Sequence, residues 1–204
     1  MKMNPQFTPS AFETELQGNI LPFWMNHSLD RENGGFYGAI TNDLQVVNSK
    51  ERSAVLCARI LWTFSAAYRT YKNAQYLQTA RHAYDYLTRR FWDANYGGIY
   101  WSLDYQGNPV NDRKHTYAQS FAIYGLTEFY RATGEQEILR LAQELFRLIE
   151  LHTFDAVNQG NLECRSREWQ ALDDMRLSDK DMNCAKSMNT LLHLIEAYTN
   201  LMRV

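Results

Sequence analysis

The stretch DRENGGFY at residues 30–37 returns as DANYGGIY at residues 93–100, and the interval from Gly34 to Gly97 is 63 residues. A further 63 residues leads to Gly160, inside FDAVNQGNLE, where Asp155 and Gly160 keep a worn version of the same pattern. A repeat of this length is one supersecondary unit stacked on copies of itself. Paired glycines interrupt any helix, and the aromatic and β-branched residues after them favour a short extended run.

Between the loops, the apolar pattern alternates between two kinds of helix. Residues 11–27 carry Phe12, Leu16, Ile20, Phe23 and Trp24 on one side, and 74–90 do the same with Leu77, Ala80, Tyr84 and Leu87. Residues 135–152 form a third one-sided pattern, behind Gly134 as a helix stop. Residues 50–71 are apolar on nearly every side (Val55, Leu56, Ile60, Leu61, Trp62, Phe64), as are 113–132 with Tyr117, Phe121, Ile123 and Tyr124. A one-sided helix belongs in an outer layer and a two-sided helix between layers. The unit is therefore outer helix, long glycine loop, inner helix and short turn, used three times. The expected fold is all-α, of the (α/α)6-barrel or toroid type, with residues 1–204 forming three hairpins, about half a ring, as one domain.

The third inner helix, expected over 181–202, contains DMNCAKSMNTLLHLIEAY. Asn189 and His193 are four residues apart and share a face. The apolar residues around them predict a helix packed on most of its circumference, so the amide and the imidazole need partners or a ligand. Arg59 interrupts the first inner helix in the same way and calls for a carboxylate, carbonyls or a polar cavity. Tyr117 sits near the start of the second. Inner helices of a toroid line its central cavity, so Arg59, Tyr117, Asn189 and His193 are expected to border one site. Asp181 reads as an N-cap or first-turn acid. His27, His82, His115 and His152 read as surface residues. Phe36, Tyr37, Tyr100, Trp101 and Trp169 in the loops suit either sugar stacking or rim packing.

Composition narrows the partners. With a formal net charge of -2 and interspersed acids and bases, the chain offers no footprint for nucleic acid or an anionic membrane. No run approaches a membrane span and the N-terminus lacks a signal-peptide apolar region, so a cytoplasmic location is expected. Cys57, Cys164 and Cys184 are odd in number and lack metal-site spacing, and read as reduced, inert core thiols. No metal-ligand, phosphate-loop or nucleophile-elbow motif occurs.

The segments GGFYG, ARILWTFSAAYR, FWDANYGGIYWSLDYQGNP, KHTYAQSFAIYGLTEFY, LDDMRLSDKDMN and KSMNTLLHLIEAYTNL together resemble the cellobiose 2-epimerases, within the wider N-acylglucosamine 2-epimerase family, from about residue 10 onward. The resemblance implies an (α/α)6 barrel and a cofactor-free isomerase. Such an enzyme inverts C2 of the reducing-end sugar of a β-1,4-linked disaccharide, taking cellobiose to glucosylmannose. It matches Arg59, Tyr117, Asn189 and His193 to residues lining the sugar site and Asp181 to an acid near it. The family's proton-transfer pair is two histidines in the second half of the barrel. These are expected beyond Val204, so no catalytic residue is expected within residues 1–204, which represent the N-terminal half. Where the family usually reads Asn-Thr-His-Leu-His, this sequence has Leu191 in place of the first histidine and keeps His193. Three readings compete: the sugar-contacting half of an epimerase, a catalytically silent half-barrel holding sugar weakly, and a glycoside hydrolase or lyase on the same toroid. The last would need a positioned carboxylate pair, which the inner helices lack. Half a ring leaves open edges, with Leu191, Leu194, Ile195 and Tyr198 or residues beside Arg59 as candidates for exposure, so a homo-oligomer is expected.

Overall fold

The computed structural model describes residues 8–204. Among these residues the expected all-α toroid segment is present, as six main helices in three hairpins. Thr8 caps α1 (Pro9–Glu15), which runs through a π-helical turn at Leu16–Ile20 into α2 (Leu21–His27). The first inner helix is α3 (Ala54–Tyr71), and α4 (Ala74–Tyr86), with a closing π turn at Leu87–Phe91, lies behind it. The second pair is α5 (Thr116–Thr133) and α6 (Gln136–Thr153), and the last inner helix is α7 (Met188–Met202). The inner helices lie side by side with α5 in the middle. Gly125 permits the approach of α3 to α5: a Cβ there would stand 2.7 Å from the Ala58 carbonyl oxygen.

The outer helices are one-sided, as their pattern requires. On α6 the buried residues Ile138, Ala142, Leu145 and Ile149 follow one stripe, each large one contributing about 1.5–3 kcal/mol by leaving water. Lys72 and Gly134 end α3 and α5 in the left-handed conformation, and Asn73 then caps α4. Arg69 and Arg131 fall in the last turns of α3 and α5, where they complement the helix dipole.

The repeated loops are built alike. In each, the aspartate Oδ1 accepts backbone N–H bonds two and three residues on: Asp30 from Glu32 and Asn33, Asp93 from Asn95 and Tyr96, Asp155 from Val157 and Asn158. The aspartate's own N–H donates to Gly35, Gly98 and Gly160 in turn. Each carboxylate also holds a cation that stands just before an inner helix: Arg52 on Asp30, Lys114 on Asp93 and Lys186 on Asp155. The worn third copy survives because Gln159 adopts the left-handed conformation that glycine supplies in the other two. Gly98 is needed twice over, since its φ is +72° and a Cβ would meet Trp169 at 2.7 Å.

The inner helices begin later than their patterns suggest. The first starts at residue 54 because Arg52–Ser53 (β1) pairs antiparallel with Ser102–Leu103 (β2), which also pairs with Pro109–Asn111 (β3). The second starts at 116 because Lys114–His115 (β4) pairs with Cys164–Arg165 (β5). The third starts at 188 and not 181, because Lys186 is tied to Asp155 and the Gln159 carbonyl while the Ser187 side chain caps the helix. Asp181 is therefore no cap. It lies in the preceding loop and accepts from the Ser178 hydroxyl at 2.7 Å.

Other expectations need revision. The α7 helix is not packed all round: Met188 (86% exposed), Leu192 (53%), Ile195 (65%) and Met202 (88%) form an open stripe, while Leu194 and Ala197 are buried. Of the residues expected at the edge, Ile195 is exposed, Leu191 and Tyr198 are half-buried and Leu194 is covered. His115 is buried, not a surface residue, because β4 is an interior strand. Cys57 and Cys164 are buried thiols, the latter pushed up to about 12 by burial, but Cys184 is only half-buried.

Candidate functional site

The three inner helices carry their polar residues at matching places. Counted from the first residue of α3, α5 and α7, the second positions are Val55, Tyr117 and Asn189, the sixth are Arg59, Phe121 and His193, and the ninth are Trp62, Tyr124 and Glu196. Neighbouring helices in one register bring such positions to the same level of the concave face.

The sixth positions converge. The Arg59 guanidinium carbon lies 4.6 Å from the Phe121 ring centroid, and the His193 ring lies 4.6 Å from it, tilted by 43°. Tyr117, one turn back on α5, meets the His193 ring edge-on at 5.0 Å. Arg59 is exposed and, among the described residues, has no carboxylate partner. Of the carboxylate, carbonyls or polar cavity expected for it, the carboxylate is therefore absent among the described residues. Its cation rests on an aromatic face and its nitrogens remain open to solvent on the concave side. His193 is 17% exposed through its side chain, and its Nδ1 is 2.7 Å from Glu196 Oε2.

Asn189 and Asp181 are brought together elsewhere. Asn189 is exposed one turn above His193, and Asn189 and Asp181 both line a cleft of about 190 Å³ with Arg176, Ser187 and Glu163. Glu163 fixes this end of α7, since its carboxylate accepts the Ser187 N–H and, at 2.6 Å, the Thr190 hydroxyl. The five sequence-selected residues thus fall into a cluster of Arg59, Tyr117 and His193 around Phe121, and a cleft holding Asn189 and Asp181. The proton-transfer histidines expected beyond Val204 lie outside the described residues. Val204 itself follows the end of α7, is exposed, donates its N–H to the Leu201 carbonyl at 3.3 Å, and borders neither the cluster nor the cleft.

Sequence reasoning missed Phe121, Glu163, Glu196 and His115. Phe121 resembled any core aromatic, and only alignment of the helix starts gives it the same position as Arg59 and His193. His115 packs against Trp101 with ring centroids 4.5 Å apart and planes tilted by 53°, its Nδ1 is unpartnered, and burial pushes the imidazole down to about 4, with Arg113 adding to the effect. Most of the loop aromatics serve packing: Phe36, Tyr100 and Trp169 are buried, and Trp101 and Tyr37 are half-exposed. No group of three or more metal-ligating side chains occurs among the described residues.

Residues 35–198 match the family model described as N-acylglucosamine 2-epimerase. The chain belongs to this family. It is 50% identical to a cellobiose 2-epimerase of Bacteroides fragilis over 192 residues, 94% of this chain and 49% of that protein. A solved cellobiose 2-epimerase of Bacillus thermoamylovorans shares 46% identity with a TM-score of 0.90, over 96% of this chain and 50% of that one. A D-mannose isomerase structure, 23% identical with a TM-score of 0.82, covers all of this chain and 50% of its own; this likeness shows the fold alone. These family enzymes are (α/α)6 barrels, and the chain spans about half the length of the relatives it matches.

Proposed function

We propose that residues 1–204 form the sugar-contacting, N-terminal half of a carbohydrate 2-epimerase acting at C2 of the reducing-end residue of β-1,4-linked disaccharides such as cellobiose. The observation that carries this is the convergence of Arg59, Tyr117 and His193 on the concave face of a chain half identical to a cellobiose 2-epimerase.

The chemistry explains these residue types. In the open-chain aldose, removing the C2 proton sends the C2–H electrons toward C1 and gives an enediolate; protonation on the opposite face returns the C2 epimer with no net redox change. Charge develops on O1 and O2, where a guanidinium such as that of Arg59 stabilises it, and Asn189, in the neighbouring cleft one turn from His193, is proposed as a further amide donor to the sugar. Inversion needs acid and base groups on opposite faces of C2. On the family resemblance these are two histidines beyond Val204. We therefore propose that residues 1–204 alone hold the sugar without turning it over, with no cofactor required. Asp181, in the cleft with Asn189, is proposed as an outer contact.

The proposal includes a cytoplasmic location; among the described residues no helix is long and apolar enough to cross a membrane. It also includes self-association. The open stripe of α7 and an apolar groove beside α3, where Leu16 and Leu21 face Trp62, Ala66 and Tyr71, are complementary in kind.

Titration of cellobiose by calorimetry or NMR tests the sugar site. Arg59→Ala and His193→Ala are each expected to weaken binding about fivefold or more, the worth of a hydrogen bond to a charged or polar group. Unchanged affinity in both would remove the assignment. Incubation with cellobiose in heavy water tests the chemistry: no deuterium is expected at C2, and exchange above the buffer blank that is lost in His193→Ala would overturn the claim of silence.

A further inference from the structure

The contact between His193 and Glu196 is a departure from the other two inner helices. Where α3 has Arg59 and Trp62, and α5 has Phe121 and Tyr124, α7 has His193 and Glu196. Trp62 and Tyr124 stack face to face at 5.1 Å between centroids, 9° from parallel. The third helix places a carboxylate at that level, and the carboxylate reaches back one turn to the imidazole, Nδ1 to Oε2 at 2.7 Å.

An ionised carboxylate accepts hydrogen bonds and donates none, so the proton in this contact resides on Nδ1. Two aromatic rings flank the imidazole, Phe121 at 4.6 Å and Tyr117 at 5.0 Å, and the side chain keeps 17% of its surface exposed. Among the described residues nothing hydrogen-bonds to Nε2. In a neutral imidazole, fixing the proton on one nitrogen leaves a lone pair on the other.

We propose that Glu196 is a positioning residue for His193, holding the neutral ring in its Nδ1–H form so that Nε2 presents an acceptor lone pair to the concave face. A sugar hydroxyl then donates to Nε2. The sugar part rests on the proposed function above; the proton placement stands on the His193–Glu196 geometry by itself. Glu196 is about half exposed and lies outside the core, so its replacement leaves the fold intact.

The test reads the two parts separately. Long-range proton–nitrogen spectra of the ¹⁵N-labelled chain give the tautomer of His193 directly, at a pH where the same spectra show the ring neutral. The Nδ1–H form is expected to dominate in the wild type, to give way to Nε2–H in Glu196→Ala, and to persist in part in Glu196→Gln, which keeps an acceptor oxygen. A wild-type ring in the Nε2–H form, or one unchanged in Glu196→Ala, overturns the proposal. Cellobiose affinity is expected to fall about fivefold in Glu196→Ala with the backbone spectrum otherwise preserved. If the tautomer behaves as stated and the wild type binds no cellobiose, the sugar-site reading fails while the positioning role stands.

Discussion

Arg59 and His193 occupy the same place in two helices, the sixth residue of α3 and of α7, and the ring of Phe121 stands between them 4.6 Å from each. One aromatic side chain therefore sets the separation of both polar groups. Phe121→Ala is expected to destabilise the chain by about 3–5 kcal/mol, the usual range for truncating a buried phenylalanine. Phe121→Leu keeps most of the volume and should cost less than about 1.5 kcal/mol in denaturant unfolding. Because it removes the aromatic face under Arg59, Phe121→Leu should still weaken cellobiose binding, and equal affinity in that variant and the wild type would show that the ring does not position the cation.

The second prediction concerns Asp93, buried with the Lys114 ammonium at 3.0 Å and the Arg167 guanidinium at 2.9 Å. Burial pushes this carboxyl up, but hydrogen bonds from Arg167, Lys114 and the Asn95 N–H outweigh it and hold the group well below the usual carboxylate range. A carboxyl depressed in the folded state contributes stability above its ordinary value near 3.8, and that contribution drains away as the pH falls below it. Asp93→Asn leaves Lys114 charged and unpaired in the interior, and should cost about 3–5 kcal/mol at neutral pH. It should also flatten the acid limb of the stability curve below about pH 4. Urea unfolding at several pH values reads both effects, and an acid limb as steep as the wild type's would rule Asp93 out as its source.

His115 gives a separate and milder window. Its ordinary value is 6.5 and burial lowers it to about 4, so the folded chain prefers the neutral ring. The unfolded chain gains its proton first as the pH falls, so stability is full above about 6.5 and declines down to about 4, by roughly 3 kcal/mol. Below that both states are protonated and the decline from this group stops. His115→Phe keeps a ring against Trp101 and removes the titration. Its unfolding free energy should vary less than the wild type's between pH 6.5 and 4, and parallel curves for the two proteins would contradict the assignment.

What the sequence disclosed and what it hid have separate physical causes. Apolar periodicity follows burial, so the alternation of one-sided and two-sided helices leads to the toroid, and the spacing of Asp30, Asp93 and Asp155 reveals the repeat. Local pattern puts the inner helix starts too early, at 50, 113 and 181, because Arg52, Lys114 and Lys186 precede helices without breaking any periodicity; strand pairing at Arg52–Ser53 and Lys114–His115, together with the distant carboxylates that hold all three cations, keeps these segments out of the helices. The same long-range pairing makes His115 look superficial. Arg59, Tyr117 and His193 are recognisable as polar or aromatic residues on inner helices, but their common neighbour Phe121 is not, since nothing local separates it from core. The open stripe of α7 is only partly legible for the opposite reason: the open edge of a half ring points to Ile195, but Met188, Leu192 and Met202 are apolar, and apolar residues read as buried whether or not anything covers them.

The last prediction concerns that stripe. Met188, Leu192 and Ile195 stand at successive turns of α7, Met202 stands two turns further on past Thr199, and all four are more than half exposed. Monomeric proteins seldom leave a contiguous apolar strip of this kind in water. Beside α3, Leu16, Leu21, Ala67 and Tyr71 border a groove of about 230 Å³, whose Trp62 and Ala66 also line the inner-face cavity that Ile195 borders. Three hairpins are half of the six in the barrels of the matched relatives, so two copies related by a two-fold axis along the ring would set each α7 stripe against the partner's groove and complete a six-hairpin circuit. Light scattering on a sample of these 204 residues should report about twice the chain mass of 23.9 kDa at micromolar concentration. Ile195→Lys puts a charge in the middle of the stripe at a site too exposed to affect folding by more than about 0.5 kcal/mol, and should return the monomer. A wild-type monomer at micromolar concentration would sink the pairing, as would an Ile195→Lys dimer with unchanged dissociation, which would move the interface to another surface.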